Sequence, residues 1–243
     1  MSETVKPYSS EGEGKKTQVS QMFDNIAPYY DFLNRLLTLR IDVLWRKKAI
    51  SLLKKSQPNR ILDVATGTAD VAIMMSKQLK AEEIIGMDIS KEMLAVGQKK
   101  IDKKGLDKRI KLEYGDSENL SYSDNSFDAV TVAFGVRNFE DLEKGLAEIK
   151  RVLKPGGQLV ILEFSKPTVF PFKQGYNFYF KYILPNIGRF TSKDPKAYEY
   201  LYRSVQAFPD GDAFKNILQK IGFNNTQCTQ LSLGICSIYT GQP

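Results

Sequence analysis

The sequence predicts an α/β fold: a mostly parallel sheet with helices on both faces and an antiparallel finish. Three observations predict it. Apolar runs recur at Ile61–Val64, Ile84–Met87, Ile110–Tyr114, Phe127–Phe134 and Leu159–Phe164. Helix-patterned segments lie between them at Thr68–Leu79, Ser90–Lys103 and Glu140–Leu153. Near-continuously apolar strands separated by amphipathic helices belong to parallel sheets buried on both faces. Finally, two strand-like stretches, Asn225–Leu231 and Ile235–Thr240, close the chain near enough to each other for a hairpin.

The remaining elements follow in chain order. Residues 1–17 are polar and Gly/Ser-rich, without the apolar stretch of a signal peptide, and are expected to form a flexible tail. One domain is expected over 18–243. It opens with a helical cap at 18–57, in which Asp42–Lys55 is a helix with Asp42 as its N-cap and Trp45, Ala49 and Leu52 on one face. Ser56-Gln57-Pro58-Asn59 then breaks the pattern. Residues 166–205 leave the strand–helix rhythm. This stretch holds eleven of the chain's 27 aromatics, with seven Lys/Arg against two acids. Among the aromatics are Phe170, Phe172, Tyr176, Phe178, Tyr179, Phe180 and Tyr182, and the stretch reads as an insertion. A helix is expected at Asp210–Ile221 before the final hairpin.

Composition narrows the function classes. The chain of 243 residues contains no histidine, which removes the commonest general base and excludes Ser-His and Cys-His catalysis. Its two cysteines, Cys228 and Cys236, with no histidine beside them, do not suggest a metal site, and a reducing cytosol would keep them as thiols. No apolar run approaches the roughly 18 residues of a membrane span. A cytoplasmic protein is therefore expected. The net charge of +7 suits either simple solubility or attraction to an anionic surface, lipid or nucleic acid.

Three successive strand ends carry the candidate ligand contacts. Ile61-Leu62-Asp63-Val64-Ala65-Thr66-Gly67-Thr68-Ala69-Asp70 is a strand, a tight turn and a helix start. Ligands of open α/β sheets bind at such carboxyl ends, where Gly67 lets backbone approach closely. Asp88 ends the next strand about 20 residues later, the spacing at which an acid meets ribose hydroxyls. Tyr114-Gly115-Asp116-Ser117 ends the third, where Asp116 can accept from an adenine amino group and the Ser117 N–H can meet a ring nitrogen. The turn has one glycine instead of G-x-G-x-x-G, and Asp63 adds a carboxylate. That suits a cationic nucleoside better than a pyrophosphate, and points to S-adenosyl-L-methionine.

Further segments carry a family resemblance. Leu153-Lys154-Pro155-Gly156-Gly157, running on through Glu163-Phe164-Ser165-Lys166-Pro167, resembles a signature of the menaquinone/ubiquinone biosynthesis C-methyltransferase family. So does Phe134-Gly135-Val136-Arg137-Asn138, matching F-G-x-R-N. So does Phe23-Asp24-Asn25-Ile26-Ala27-Pro28-Tyr29-Tyr30-Asp31-Phe32-Leu33-Asn34 through Trp45-Arg46, where Leu33 stands for Met, Thr38 for Ser and Asp42 for a usual His. The resemblance runs from about Val19 to the C-terminus. It implies a class I, Rossmann-like S-adenosylmethionine-dependent methyltransferase fold with seven strands, and cofactor contacts at Thr68, Asp88, Asp116 and Ser117. It also implies methyl transfer to a ring carbon of a lipid-tailed demethylated quinol, with the naphthoquinol, demethylmenaquinol, favoured and a benzoquinol left open.

On that reading the ring hydroxyl must lose or share its proton before carbon becomes nucleophilic. Arg137 is expected to stabilise the phenolate, with Asn138 and Tyr30 nearby and Asp31 as a proton acceptor. Arg137 and Asp31 could equally form an ion pair that holds down the N-terminal helices. The aromatic insertion either joins the core or covers the substrate site at a membrane surface. Two other readings remain. One is an RNA or protein methyltransferase, favoured by basic residues among aromatics but lacking Asn/Asp-Pro-Pro-aromatic after the fourth strand. The other is a non-catalytic scaffold, which the set Asp63, Gly67, Asp88 and Asp116 argues against. No nucleic-acid partner is expected; a homo-oligomer is left open.

Overall fold

The computed structural model describes residues 5–8, 12–178 and 195–243. Tyr179, Phe180 and Tyr182 of the aromatic stretch lie outside them. The parallel strands are β1 (Arg60–Val64), β2 (Glu83–Asp88), β3 (Ile110–Tyr114), β4 (Phe127–Ala133) and β5 (Leu153–Phe164). β6 (Asn224–Leu231) and β7 (Cys236–Gln242) form the hairpin. Together they make one seven-stranded sheet in the order β3-β2-β1-β4-β5-β7-β6, with β7 antiparallel to both neighbours. The order reverses between β1 and β4, so the cleft above those strand ends is the place where an open sheet takes its ligand.

The period of two along each strand supplies both cores. Ile61, Ile84, Ile110 and Val160 face one side, packed with Met75, Ile101 and Trp45. Leu62, Val64, Ile85, Val130 and Ile161 face the other, packed with Leu146, Phe214 and Leu218. Each fully buried aliphatic or aromatic side chain contributes about 1.5–3 kcal/mol. Helices α3 (Ile41–Leu52), α4 (Asp70–Gln78) and α5 (Lys91–Lys103) cover the first face. α6 (Leu142–Val152) and α9 (Asp212–Ile221) cover the second. In β5, Leu153 pairs with Phe127 and pairing resumes only at Gln158 opposite Ala129, so Pro155-Gly156-Gly157 bulges out of the ladder. A Cβ on Gly157 would sit 2.8 Å from the Lys154 carbonyl oxygen, which makes glycine a packing requirement there.

Four further helices lie over the carboxyl ends: α1 (Lys15–Ile26), α2 (Tyr30–Leu37), α7 (Phe172–Phe178) and α8 (Pro195–Ala207). Two sequence expectations change here. Helix α1 begins at Lys15, so residues 15–17 are not tail: the buried Lys15 Nζ donates to the carbonyls of Arg137 (3.0 Å) and Phe139 (2.7 Å). Asp42 is not the cap of α3. That place falls to Arg40, in the left-handed region at φ 64°, and Asp42 lies inside the first turn. Its carboxylate accepts from Thr38 Oγ1 (2.9 Å) and pairs with Arg35 and Arg46. Asp70 pairs with Arg35, Arg46 and Lys100 in turn, so one charged network ties α2 and α3 to α4 and α5. Around Asp70 these cations outweigh burial and hold its carboxyl below the usual range.

Candidate active site

Two pockets meet above the β1–β4 ends. The first is a narrow cleft lined by Gly67, Asp88, Asp116 and Ser117, as the strand-end spacing predicts, and also by Glu118 and Glu140. The turn that opens it, after β1, is tightly wound. Ala65, Gly67 and Ala69 all have positive φ (54°, 57° and 62°), and the Gly67 N–H donates to Asp88 Oδ2 at 2.7 Å. Asp88 Oδ1 accepts from Ser90 N at 2.8 Å. Burial pushes the Asp88 carboxyl up, against the pull of these backbone donors. Each oxygen keeps a second lone pair for a ligand hydroxyl. Lys16 on α1 crosses the cleft mouth, its Nζ 2.6 Å from Asp116 and 3.0 Å from Glu118.

Two of the expected cofactor residues are set back from the cleft lining. Asp63 does not line the cleft. It is buried beneath the turn, accepting from Thr131 Oγ1 (2.5 Å) and Thr66 Oγ1 (2.7 Å). Burial pushes its carboxyl up to about 6. Its alternation with Leu62 and Val64 sends it under the sheet instead of out of its end. Thr68 is likewise buried. Its hydroxyl donates to Asp31 Oδ1 (2.5 Å) and accepts from Lys100 Nζ (3.1 Å). Asp31, whose other oxygen pairs with Lys100 at 2.8 Å, lines neither the cleft nor the cavity described below. The suggested Arg137–Asp31 pair therefore does not exist.

The second pocket is a cavity of about 610 Å³ with a mostly apolar lining. Helices α1–α3 wall one side and the aromatic stretch walls the other, through Phe172 and Tyr176 of α7 and Tyr198 and Tyr200 of α8. Tyr30, Phe23 and Phe134 line both pockets, so the two share a wall. Phe134 has φ 60°, a strained value for a bulky side chain, and its N–H donates to Leu162 O at 2.7 Å. Its ring stacks on Phe164 at 4.6 Å, tilted 33°.

Two guanidinium groups flank that stack. Arg46 lies 5.7 Å from the Phe134 ring and Arg137 lies 5.6 Å from the Phe164 ring. Arg137 Nη1 donates to Phe134 O (2.6 Å) and to the fully buried Glu163 (2.7 Å). Arg46 Nη1 donates to Asp70 at 2.9 Å. In both, Nη2 makes no hydrogen bond to a described residue, and Nε is buried without a partner among them. Both cations act on Tyr30, favouring its ionised form, although burial dominates and raises the phenol. Asn138 lines the first pocket and accepts from Tyr200 of the second at 3.1 Å, which links the two.

Sequence reading placed Arg137, Asn138 and Tyr30 at the site and missed Lys16, Glu163, Tyr200 and any role for Arg46. Glu163 and Arg46 do stand within the quoted signatures. Nothing local marks Lys16 or Tyr200, which arrive from distant helices.

A switch-point cleft rich in carboxylates, beside an apolar cavity, on a sheet with a reversed final strand defines a Rossmann-like methyltransferase. Solved structures share this fold. A SAM-dependent methyltransferase from Thermotoga maritima superposes with a TM-score of 0.66 at 19% identity, covering 92% of this chain and 98% of that one. Phosphoethanolamine N-methyltransferase 2 of Haemonchus contortus, in complex with S-adenosyl-L-methionine, gives 0.59 at 16% identity over 81% of this chain and 52% of that one.

The chain belongs to the ubiE/COQ5 methyltransferase family, whose model matches residues 11–242. It is 52% identical to a demethylmenaquinone methyltransferase of Bacteroides fragilis, over 98% of this chain and 97% of that protein. It is 46% identical to the ubiquinone/menaquinone biosynthesis C-methyltransferase UbiE of Geotalea daltonii, over 94% and 97%.

Proposed function

We propose that the protein methylates a ring carbon of demethylmenaquinol, with S-adenosyl-L-methionine as donor, to give menaquinol. The observation that carries this is the shared wall: an acid-lined cleft and a large apolar cavity meet at Tyr30 and Phe134. The cleft fits the donor. Asp88, Asp116, Glu118 and Glu140 line it with Lys16 as the one cation among its described lining residues, an arrangement suited to a positively charged nucleoside and hostile to a pyrophosphate. Asp88 would hold the ribose and the Asp116–Ser117 end the adenine. When bound, the donor supplies an already activated methyl group.

The chain must orient the acceptor and manage its proton. A quinol carbon gains nucleophilicity as the adjacent hydroxyl gives up its proton, and the unused donors of Arg137 stabilise the phenolate so formed. A guanidinium is no general base, so on this reading the proton leaves by water. Methyl transfer would break the donor's methyl–sulfur bond as the carbon–carbon bond forms, leaving S-adenosylhomocysteine, and the ring carbon would then release its hydrogen as a proton to solvent and become aromatic again. Phe134 and Phe164 both line the cavity and give such a ring aromatic packing partners.

The cavity mouth supports action at a membrane surface. Leu36, Leu39, Ile41 and Phe172 both line the cavity and stand exposed, Leu39 at 79%. Phe32, Leu44 and Phe170 are exposed as well. Single exposed apolar residues are ordinary, but a cluster around a cavity mouth suits an isoprenoid tail leaving for the bilayer. No helix among the described residues is long and apolar enough to cross a membrane.

The test is anaerobic turnover with methyl-labelled donor and a short-tailed demethylmenaquinol. The expected product carries the label on ring carbon, with no transfer to the oxidised quinone or to RNA. Label on oxygen, or on RNA, would overturn the proposal.

A further inference from the structure

Arg46 is a buried cation with spare hydrogen-bonding capacity in a mostly apolar cavity. Its Nη1 serves Asp70 and, at 3.4 Å, Asp42. Its Nε is buried and unpartnered, and its Nη2 bonds to no described residue. The charge network alone does not need this group to reach the cavity, because Arg35 already bridges Asp42 and Asp70. Unmade donors of a buried cation cost free energy unless something polar arrives to accept them.

The two guanidiniums hold distinct positions. Arg137 is bracketed by Gly135 and Asn138, both of which line the donor cleft. Arg46 stands on α3, which gives no residue to that cleft, and it flanks the other end of the Phe134–Phe164 stack. A 1,4-quinol carries two oxygens on opposite sides of its ring. We infer that Arg46 is a second oxygen-binding residue: Arg137 holds the oxygen beside the reacting carbon, while Arg46 holds the other oxygen, para to the first. This rests on the quinol reading above. It makes Arg46 the group that favours a ring with two oxygens over a phenol with one, because the phenol would leave a buried donor unpaired.

The experiment compares two short-tailed acceptors under anaerobic conditions: a prenylated 1,4-naphthalenediol and the matching 1-naphthol, which keeps only the hydroxyl beside the reacting carbon. The wild-type chain is expected to favour the diol in kcat/KM by about tenfold to hundredfold, the range of one charge-assisted hydrogen bond. Arg46→Met should lose that preference, with the loss confined to the diol. Arg46→Lys, which keeps a cation beside Asp42 and Asp70, should restore part of it. A purely structural Arg46 would lower both acceptors alike and leave their ratio unchanged, and that result overturns the inference. So does a wild-type chain that methylates both equally, a measurement that needs no variant and holds even if Arg46→Met does not fold. Methylation of neither acceptor would instead defeat the quinol reading itself.

Discussion

The donor cleft and the acceptor cavity share a wall, yet they are built in opposite ways. The cleft is acidic: Asp88 and Asp116 sit at the ends of adjacent strands, held by backbone N–H groups of nearby turns, Gly67 and Ser90 for Asp88 and Glu118 for Asp116. The cavity is apolar and cationic, and helices from both ends of the chain enclose it. The difference follows from the ligands. A charged nucleoside is held by fixed acceptors on a rigid sheet edge, whereas a greasy ring needs volume, a flat face and a few buried donors.

That contrast can be broken by substitutions that should affect one half only. The largest effect is expected from Arg137→Met. It strands the fully buried Glu163, which should cost about 3–5 kcal/mol by chemical denaturation. The double variant with Glu163→Gln should recover much of that loss without recovering turnover. Recovered turnover would show that Arg137 only holds the fold. Next, Asp88→Ala should weaken donor binding by roughly a hundredfold in calorimetry, since it removes a charged acceptor, and leave the KM for quinol nearly unchanged. A matching rise in that KM would erase the division between the halves.

Asp63→Asn should act through pH. In the fold Asp63 titrates near 6, above its unfolded range, because burial disfavours its charge. The folded chain therefore binds more protons between about pH 4 and 6, and stability falls as pH rises through that window, by at most about 1.4 kcal/mol per pH unit. Asparagine should flatten that slope while leaving donor affinity intact. An unchanged slope would mean that another group sets it. The smallest effect is expected at the link between halves. Tyr200→Phe removes the bond to Asn138 and should cost about 0.5–1.5 kcal/mol, seen as modest rises in Kd for donor and KM for quinol together.

The same division explains what could be read in the chain. The sheet, its order of strands and helices and the closing hairpin follow from periodicity, and so do Gly67, Asp88, Asp116 and Ser117, because a strand end is a local event. Asp63 and Thr68 sit in the same run, but facing direction separates them: one points under the sheet and the other's hydroxyl is taken by Asp31 and Lys100. No local rule reveals that Lys100 claims Asp31, or that Glu163 and not Asp31 pairs with Arg137, since those partners meet only through packing. Of the aromatic stretch, Phe172, Tyr176, Tyr198 and Tyr200 line the cavity and none of its described basic residues does, and the shape comes from α1–α3, α7 and α8 closing together.

The most direct measurement is a crystal structure with S-adenosylhomocysteine and a short-tailed quinol analogue bound together. The nucleoside should lie along Asp88 and Asp116, and the ring in contact with Phe134 and Phe164 within hydrogen-bonding reach of Arg137. A nucleoside in the 610 Å³ cavity, or a ring bound away from Phe134, would contradict the account.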